Sequence, residues 1–147
     1  MRITIGADHA GFELKEAVKA HLIAAGHAVT DVGTYSAEPV DYPLIAATVA
    51  RDVSSGAAEA GVLACGTGMG MAIVANKVRG VRAVQVNDVA FAEIARKHND
   101  ANVVSLAGRS VDEAAAFAIV DAFLSTAFEG GRHQRRVDQI NAMDCQP

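Results

Sequence analysis

"GVLACGTGMGMAIVANK", residues 61–77, passes from a short uncharged apolar segment through three glycines at alternate positions and out into a helical pattern. Residues 61–65 have the length and absence of charge of a strand buried on both faces, as the strands of a parallel sheet are. Gly66, Gly68 and Gly70 supply a tight turn, and the spacing predicts a helix that starts inside the glycine loop and runs to Lys77. Strand, glycine turn and helix make one βα unit. A thiol, Cys65, stands at the mouth of the turn. Either the loop cradles an anion and the cysteine is incidental, or the cysteine is reactive and the loop amides are its electrostatic partner.

The same alternation recurs on both sides. "RITIGA" (2–7) reads as a strand, followed by Leu14, Ala17, Val18, His21, Leu22 and Ala25 at helical spacing, with Glu13, Lys15, Glu16 and Lys19 elsewhere on that helix. Gly26 falls where a left-handed C-cap is expected. "AVTDVG" (28–33) is a second strand and "TYSAEPVDYP" (34–43) a polar connector; Pro43 suits a first helical position, with a helix to about Val53. "VRAVQV" (81–86) and "NVVSLAG" (102–108) complete five strands, with a helix from Asp88 to Lys97 between them. Ser110 and Glu113 form a capping-box pattern that opens a helix through Leu124. Apolar strands each followed by a helix predict an α/β fold: a three-layer α/β/α, doubly wound, Rossmann-like five-stranded parallel sheet. Residues 1–147 read as a single domain. The basic, weakly apolar arm 129–147, "EGGRHQRRVDQINAMDCQP", adds a C-terminal helix with only Val137, Ile140 and Met143 to bury, and is expected to pack on another surface such as a partner subunit.

Composition narrows the function. Half of the 147 residues are apolar and the formal net charge is −4, which argues against general affinity for nucleic acid or anionic membrane. No apolar run approaches the roughly 20 residues that span a bilayer. The chain opens directly on a strand with no signal-peptide pattern, and Cys65 and Cys145 do not look like a disulfide framework, so a cytoplasmic setting is expected.

In doubly wound folds ligands sit beyond the carboxyl ends of the strands. That edge holds Asp8 and His9 after strand one, Cys65 to Gly70 after strand three, and Gly108 and Arg109 after strand five. The glycine spacing is not the dinucleotide fingerprint, no Gly-Lys-Ser/Thr follows, and Asp31 alone is a weak ribose ligand. A strand-to-helix turn with nothing bound would need the same glycines, yet loop amides at a helix start also converge on negative oxygen. Buried cysteines are commonly inert, but those same N–H groups would stabilise a Cys65 thiolate as nucleophile or base. Cys145 has no such setting. His98, in the polar "RKHND", reads either as a surface residue or as an acid/base group. His21, His27 and His133 fall in no constellation. No HxH, HExxH or CxxC offers a metal site, and none is expected. Arg132 and Arg136, four apart, read as a solvated basic face paired with Asp138 or Glu129, or as a two-pronged phosphate clamp.

"DHAGFELK", "CGTGMGMAIVANK", "RKHND" and "GGRHQRRVDQI", in this order over nearly the whole chain, resemble the type B ribose-5-phosphate isomerases and their galactose-6-phosphate and allose-6-phosphate relatives. The resemblance implies a metal-independent, cofactor-free aldose–ketose isomerase acting on a sugar phosphate through an enediolate. It implies Cys65 as the general base, the amides of Gly66, Thr67, Gly68, Met69 and Gly70 as holders of the enediolate oxygens, and Thr67 with His98 in ring opening. Asp8, His9 and Asn99 match positions that contact sugar or phosphate, and Arg109, Arg132 and Arg136 the cationic phosphate end. It further implies a homodimer or tetramer whose site lies between subunits. Another branch of the family replaces the cysteine and uses a glutamate a few residues on; Met71 stands there, which places this chain in the cysteine branch. Ala72, where many relatives have Ser, reads as helix packing. The implied substrate is ribose 5-phosphate, with allose 6-phosphate, galactose 6-phosphate or erythrulose 4-phosphate as alternatives. A non-catalytic nucleotide-binding module and a purely structural domain remain as readings of other classes.

Overall fold

The computed structural model describes residues 1–144; Cys145 lies outside the described residues. The chain runs β1 (Arg2–Ala7), α1 (Phe12–Ala24), β2 (Ala28–Asp31), α2 (Tyr42–Ser55), β3 (Ala60–Cys65), α3 (Met69–Ala75), β4 (Ala83–Gln85), α4 (Val89–Asn99), β5 (Val103–Ala107), α5 (Glu113–Ser125), a 3-10 turn (Gly131–His133) and α6 (Gln134–Met143). All strands pair in parallel, in the order β2-β1-β3-β5-β4. The expected fold is therefore present.

Every residue of β3 and β5 is buried, because helices cover both faces of the sheet. On one face Ile3, Ile5, Val62 and Leu106 pack with Leu14, Val18, Ile119 and Phe123 of α1 and α5. On the other, Leu63, Cys65 and Val103 pack with Val49 of α2 and Met71 of α3. The thiol thus belongs to the α2–α3 side.

Three local expectations are corrected. The last large helix is capped by Asp112, whose side chain accepts from Ala115 N–H at 2.8 Å, and Glu113 is its first residue; the Ser110–Glu113 box does not form. The glycine-loop helix begins at Met69 and stops at Ala75, with Gly68 at φ 76° turning the chain into it. Lys15, set apart from the apolar positions of its helix by the spacing, is fully buried. Its Nζ donates to both oxygens of Asp31 at 2.9 and 2.8 Å and to Thr34 O at 2.7 Å. Burial would raise the Asp31 pKa, but Lys15, Lys19 and the Gly33 N–H outweigh it and hold the carboxyl below its usual range. Asp31 is therefore committed to lysines rather than offered to a ribose.

The C-terminal arm rests on its own chain. Val137 is buried, Arg82 Nη1 donates to Asn141 Oδ1 at 3.0 Å, and Gly80 N–H donates to Asp144 Oδ2 at 2.7 Å. Ile140 and Met143 stay exposed. Arg132 lies in the 3-10 turn and Arg136 in α6, so the two do not share one α-helix; both are exposed and neither pairs with Asp138 or Glu129 among the described residues.

Candidate active site

The chain leaves β1 toward β2 on one side and leaves β3 toward β4 on the other, so the sheet reverses its winding between β1 and β3. Open α/β sheets leave a crevice at that place. The register sets Ala7 beside Ala64 and Cys65 beside Ala107, which brings Asp8, Gly66 and Gly108 to one level beyond the strand ends.

Cys65 forms the floor. It is 5% exposed, and its Sγ accepts the Gly68 N–H at 3.2 Å. The residue that carries this N–H is held on its far side as well: the Gly68 carbonyl, one peptide later, accepts the hydroxyl of fully buried Ser105 at 2.6 Å. A hydrogen bond from a backbone amide favours the anionic form of a thiol. The βα turn so formed is tight: a Cβ on Gly68 would come within 2.7 Å of Gln85 Cγ and 3.1 Å of Leu106 backbone.

Asp8 and His9 make one wall. The Asp8 Oδ1 accepts the N–H groups of Ala10 and Gly11, both at 2.9 Å, which turns the chain across the end of β3. The crossing is so close that a Cβ on Gly11 would sit 2.3 Å from Ala64 O. His9 Nδ1 accepts from Val40 N–H at 3.3 Å, so the connector after β2 leans on its ring. Arg109 closes the opposite wall, with its guanidinium 3.2–3.3 Å from where a Gly66 Cβ would stand. Tyr42, at the start of α2, lies against Gly70 in the same way. Together with Thr67 these residues bound an open hollow of about 320 Å³.

The remaining expected residues fall elsewhere. Met69 points to solvent, 59% exposed. His98 and Asn99 end α4, and Arg132 and Arg136 lie on the arm; none of the four lines the hollow. His98 instead stacks on His133, with ring centroids 4.2 Å apart and planes 7° from parallel. Desolvation first, then the neighbouring His98 and Arg132, press the His133 pKa below that of a free imidazole. Tyr42 was not legible as a lining residue, because it meets Gly70 only through an element remote in sequence. Met71 is fully buried in the core.

A hollow at the winding reversal, floored by a thiol on a backbone N–H and walled by an arginine and a histidine, is a place for a small anionic ligand. Comparison with known proteins agrees. The pattern of the Ribose/Galactose Isomerase family matches residues 3–140. The chain is 46% identical over 143 residues to ribose-5-phosphate isomerase B of Escherichia coli, covering 97% of this chain and 96% of that one. It superposes on a ribose 5-phosphate isomerase from Thermotoga maritima with a TM-score of 0.94 at 50% identity, covering 96% and 97% of the two chains. It also superposes on ribose-5-phosphate isomerase B from Mycoplasma genitalium with bound ribulose-5-phosphate, with a TM-score of 0.95 at 41% identity and coverage of 99% and 97%. By profile, by sequence and by structure, this chain belongs to the ribose/galactose isomerase family of enzymes.

Proposed function

We propose that the protein interconverts ribose 5-phosphate and ribulose 5-phosphate, with Cys65 as the base and no metal. The observation that carries this reading is the Cys65 Sγ held by Gly68 N–H at the floor of the hollow. The thiolate takes the C2 proton of the opened aldose. The resulting enediolate is held by the amides of Gly66, Thr67, Gly68, Met69 and Gly70, and the proton returns to C1 as the hydroxyl proton passes from O2 to O1. A placed base contributes about 10²–10⁴-fold and one lost oxyanion donor costs about 10²–10³-fold, enough for an acidified C–H without a Lewis acid. Thr67 and His98 serve ring opening, while Asp8, His9 and Asn99 contact sugar or phosphate.

His98, Arg132 and Arg136 stand away from the Cys65 hollow of their own chain, which supports a site completed by a second copy. The end of α4 and the arm of one protomer then face the hollow of the other, and Arg132 and Arg136 join Arg109 at the phosphate. Exposed apolar side chains near the loop, Met69 and Ile73 of α3, Leu44 of α2 and Phe91 of α4, give such a homodimer or tetramer a surface to cover. Among the described residues no helix is long and apolar enough to cross a membrane. We place the enzyme in the cytoplasm. The engagement of Asp31 by two lysines weighs against the nucleotide-binding alternative.

The test is kcat/KM of purified protein and of Cys65→Ala on ribose 5-phosphate, allose 6-phosphate, galactose 6-phosphate and erythrulose 4-phosphate. Preference for ribose 5-phosphate, abolished in the folded variant, is expected. Wild-type turnover by Cys65→Ala would overturn the base assignment, and a tenfold preference for another phosphate would change the substrate.

A further inference from the structure

Outside the Cys65 hollow, three metal-ligating side chains meet, one from the end of α4 and two from the root of the C-terminal arm. His98 lies in the last turn of α4, Glu129 just before the glycine pair, and His133 at the end of the 3-10 turn. One donor atom from each lies within 4.8 Å of the other two, and His133 Nε2 is 3.7 Å from Glu129 Oε2. We propose that His98, Glu129 and His133 bind a divalent transition-metal ion, Zn²⁺ foremost, and that the bound ion inhibits the enzyme by taking His98 out of proton transfer.

Two imidazoles and a carboxylate are the donor set borderline ions select, whereas Mg²⁺ and Ca²⁺ favour all-oxygen shells. The distances are close to sufficient. A triangle with sides of 4.8 Å has its centre about 2.8 Å from each corner, so each donor must close by about 0.7 Å to reach the usual ~2.1 Å bond. At the 3.7 Å separation of His133 and Glu129 almost no closure is needed. The three residues do not ride on independent elements: Glu129 N–H donates to Lys97 O at 3.1 Å, which ties the root of the arm to the residue before His98. Gly130 and Gly131, at φ 62° and 53°, then turn the chain so that Glu129 and His133 face the same way.

Two features oppose the ion and set its affinity below that of structural zinc. Arg132 Nε approaches His133 Nε2 at 3.4 Å and must swing aside, which its exposure permits. The stacked rings must also splay for both to reach one ion. Occupancy therefore follows the concentration of free metal, as an inhibitory site requires. Metal binding stands on the cluster alone; the inhibition rests on the assignment of His98 in ring opening.

The experiment uses full-length protein stripped with EDTA and dialysed. Co²⁺ is titrated as the spectroscopic probe, Zn²⁺ is added as competitor, and kcat/KM for ribose 5-phosphate is followed against Zn²⁺. Visible Co²⁺ bands saturating at one ion per chain, displaced by Zn²⁺ and lacking a thiolate charge-transfer band, are expected. Glu129→Gln should weaken both Co²⁺ binding and Zn²⁺ inhibition by about tenfold or more, with basal kcat/KM unchanged and EDTA reversing the inhibition. His133→Gln, checked for folding by circular dichroism, should weaken Co²⁺ binding as well. Absence of Co²⁺ bands would overturn the proposal. So would a thiolate band with inhibition untouched by Glu129→Gln, since the metal would then sit on Cys65. Metal bound as described but without inhibition would support the site and count against the role of His98.

Discussion

Ser105→Ala removes one hydroxyl that no substrate touches, and it should slow catalysis. Ser105 Oγ donates to Gly68 O at 2.6 Å in a fully buried position, and the N–H of the same residue, on the preceding peptide, donates to Cys65 Sγ. Gly68 O keeps its helix bond from Ala72 N–H at 3.2 Å, so the carbonyl is not orphaned. The stability loss is therefore about 1 kcal/mol, a fall in Tm of about 2–4 °C for a chain of this size. Gly68 loses one of the two bonds that fix its carbonyl and with it part of the constraint on its backbone, and a charge-assisted bond from its N–H to the thiolate is worth about 1.5–3 kcal/mol when well aligned. Losing about half of that lowers kcat by about 4- to 13-fold, while KM changes by less than about twofold because the phosphate contacts are intact. Steady-state kinetics, thermal unfolding and the rate of Cys65 alkylation by iodoacetamide at fixed pH read these effects separately. A lower Tm with wild-type kcat and alkylation rate would show that Gly68 needs no help from Ser105, and would refute the reasoning.

Further outcomes are expected elsewhere. Arg136→Ala should raise KM for ribose 5-phosphate with little change in kcat, since it removes binding to the non-reacting phosphate; an unchanged KM would exclude Arg136 from the clamp. Lys15→Met should cost about 3 kcal/mol, because Asp31 loses the buried partner that contacts both its oxygens, and a denaturant titration that finds no loss would refute this. The depressed pKa of Asp31 gives a signed pH dependence: its contribution is complete above the unfolded-state value near ~4 and is lost as pH falls through the lower folded-state value. Wild type should accordingly lose more stability than Lys15→Met in that acid window, as read by urea unfolding at stepped pH.

Much of the architecture was legible because its signal is local. β1 occupies the range read from "RITIGA", and β3 and β5 differ from theirs by about a residue at the ends. β4 shrank to Ala83–Gln85: Val81 is buried outside the ladder, Val86 follows its end with an N–H to Ser105 O at 3.3 Å, and an apolar run does not distinguish burial from ladder pairing. The helix cap went to Asp112 rather than Ser110 because the extended backbone directly before Glu113 belongs to Asp112, and both side chains can cap. Lys15 was misplaced for a different reason. Periodicity assigns a lysine to water unless a partner is visible, and Asp31 sits on another element. The site divides in the same way: Cys65 and its glycines are contiguous and readable, whereas the His98–His133 stack exists only after the arm folds back.

The glycines around the hollow are of two kinds, and the difference bears on how the enzyme could be redesigned. Gly11 faces backbone at 2.3 Å and Gly68 combines a left-handed φ with backbone at 3.1 Å, so neither admits a methyl group without moving the sheet edge. At Gly66 and Gly70 the nearest neighbours are side chains, the Arg109 guanidinium and the Tyr42 ring, which can yield. A single carbon added at either of these two positions would push a cation or an aromatic ring across the opening without disturbing the strand that carries the thiol. A library meant to shift the preferred sugar length would vary residues 66 and 70 and leave 11 and 68 alone.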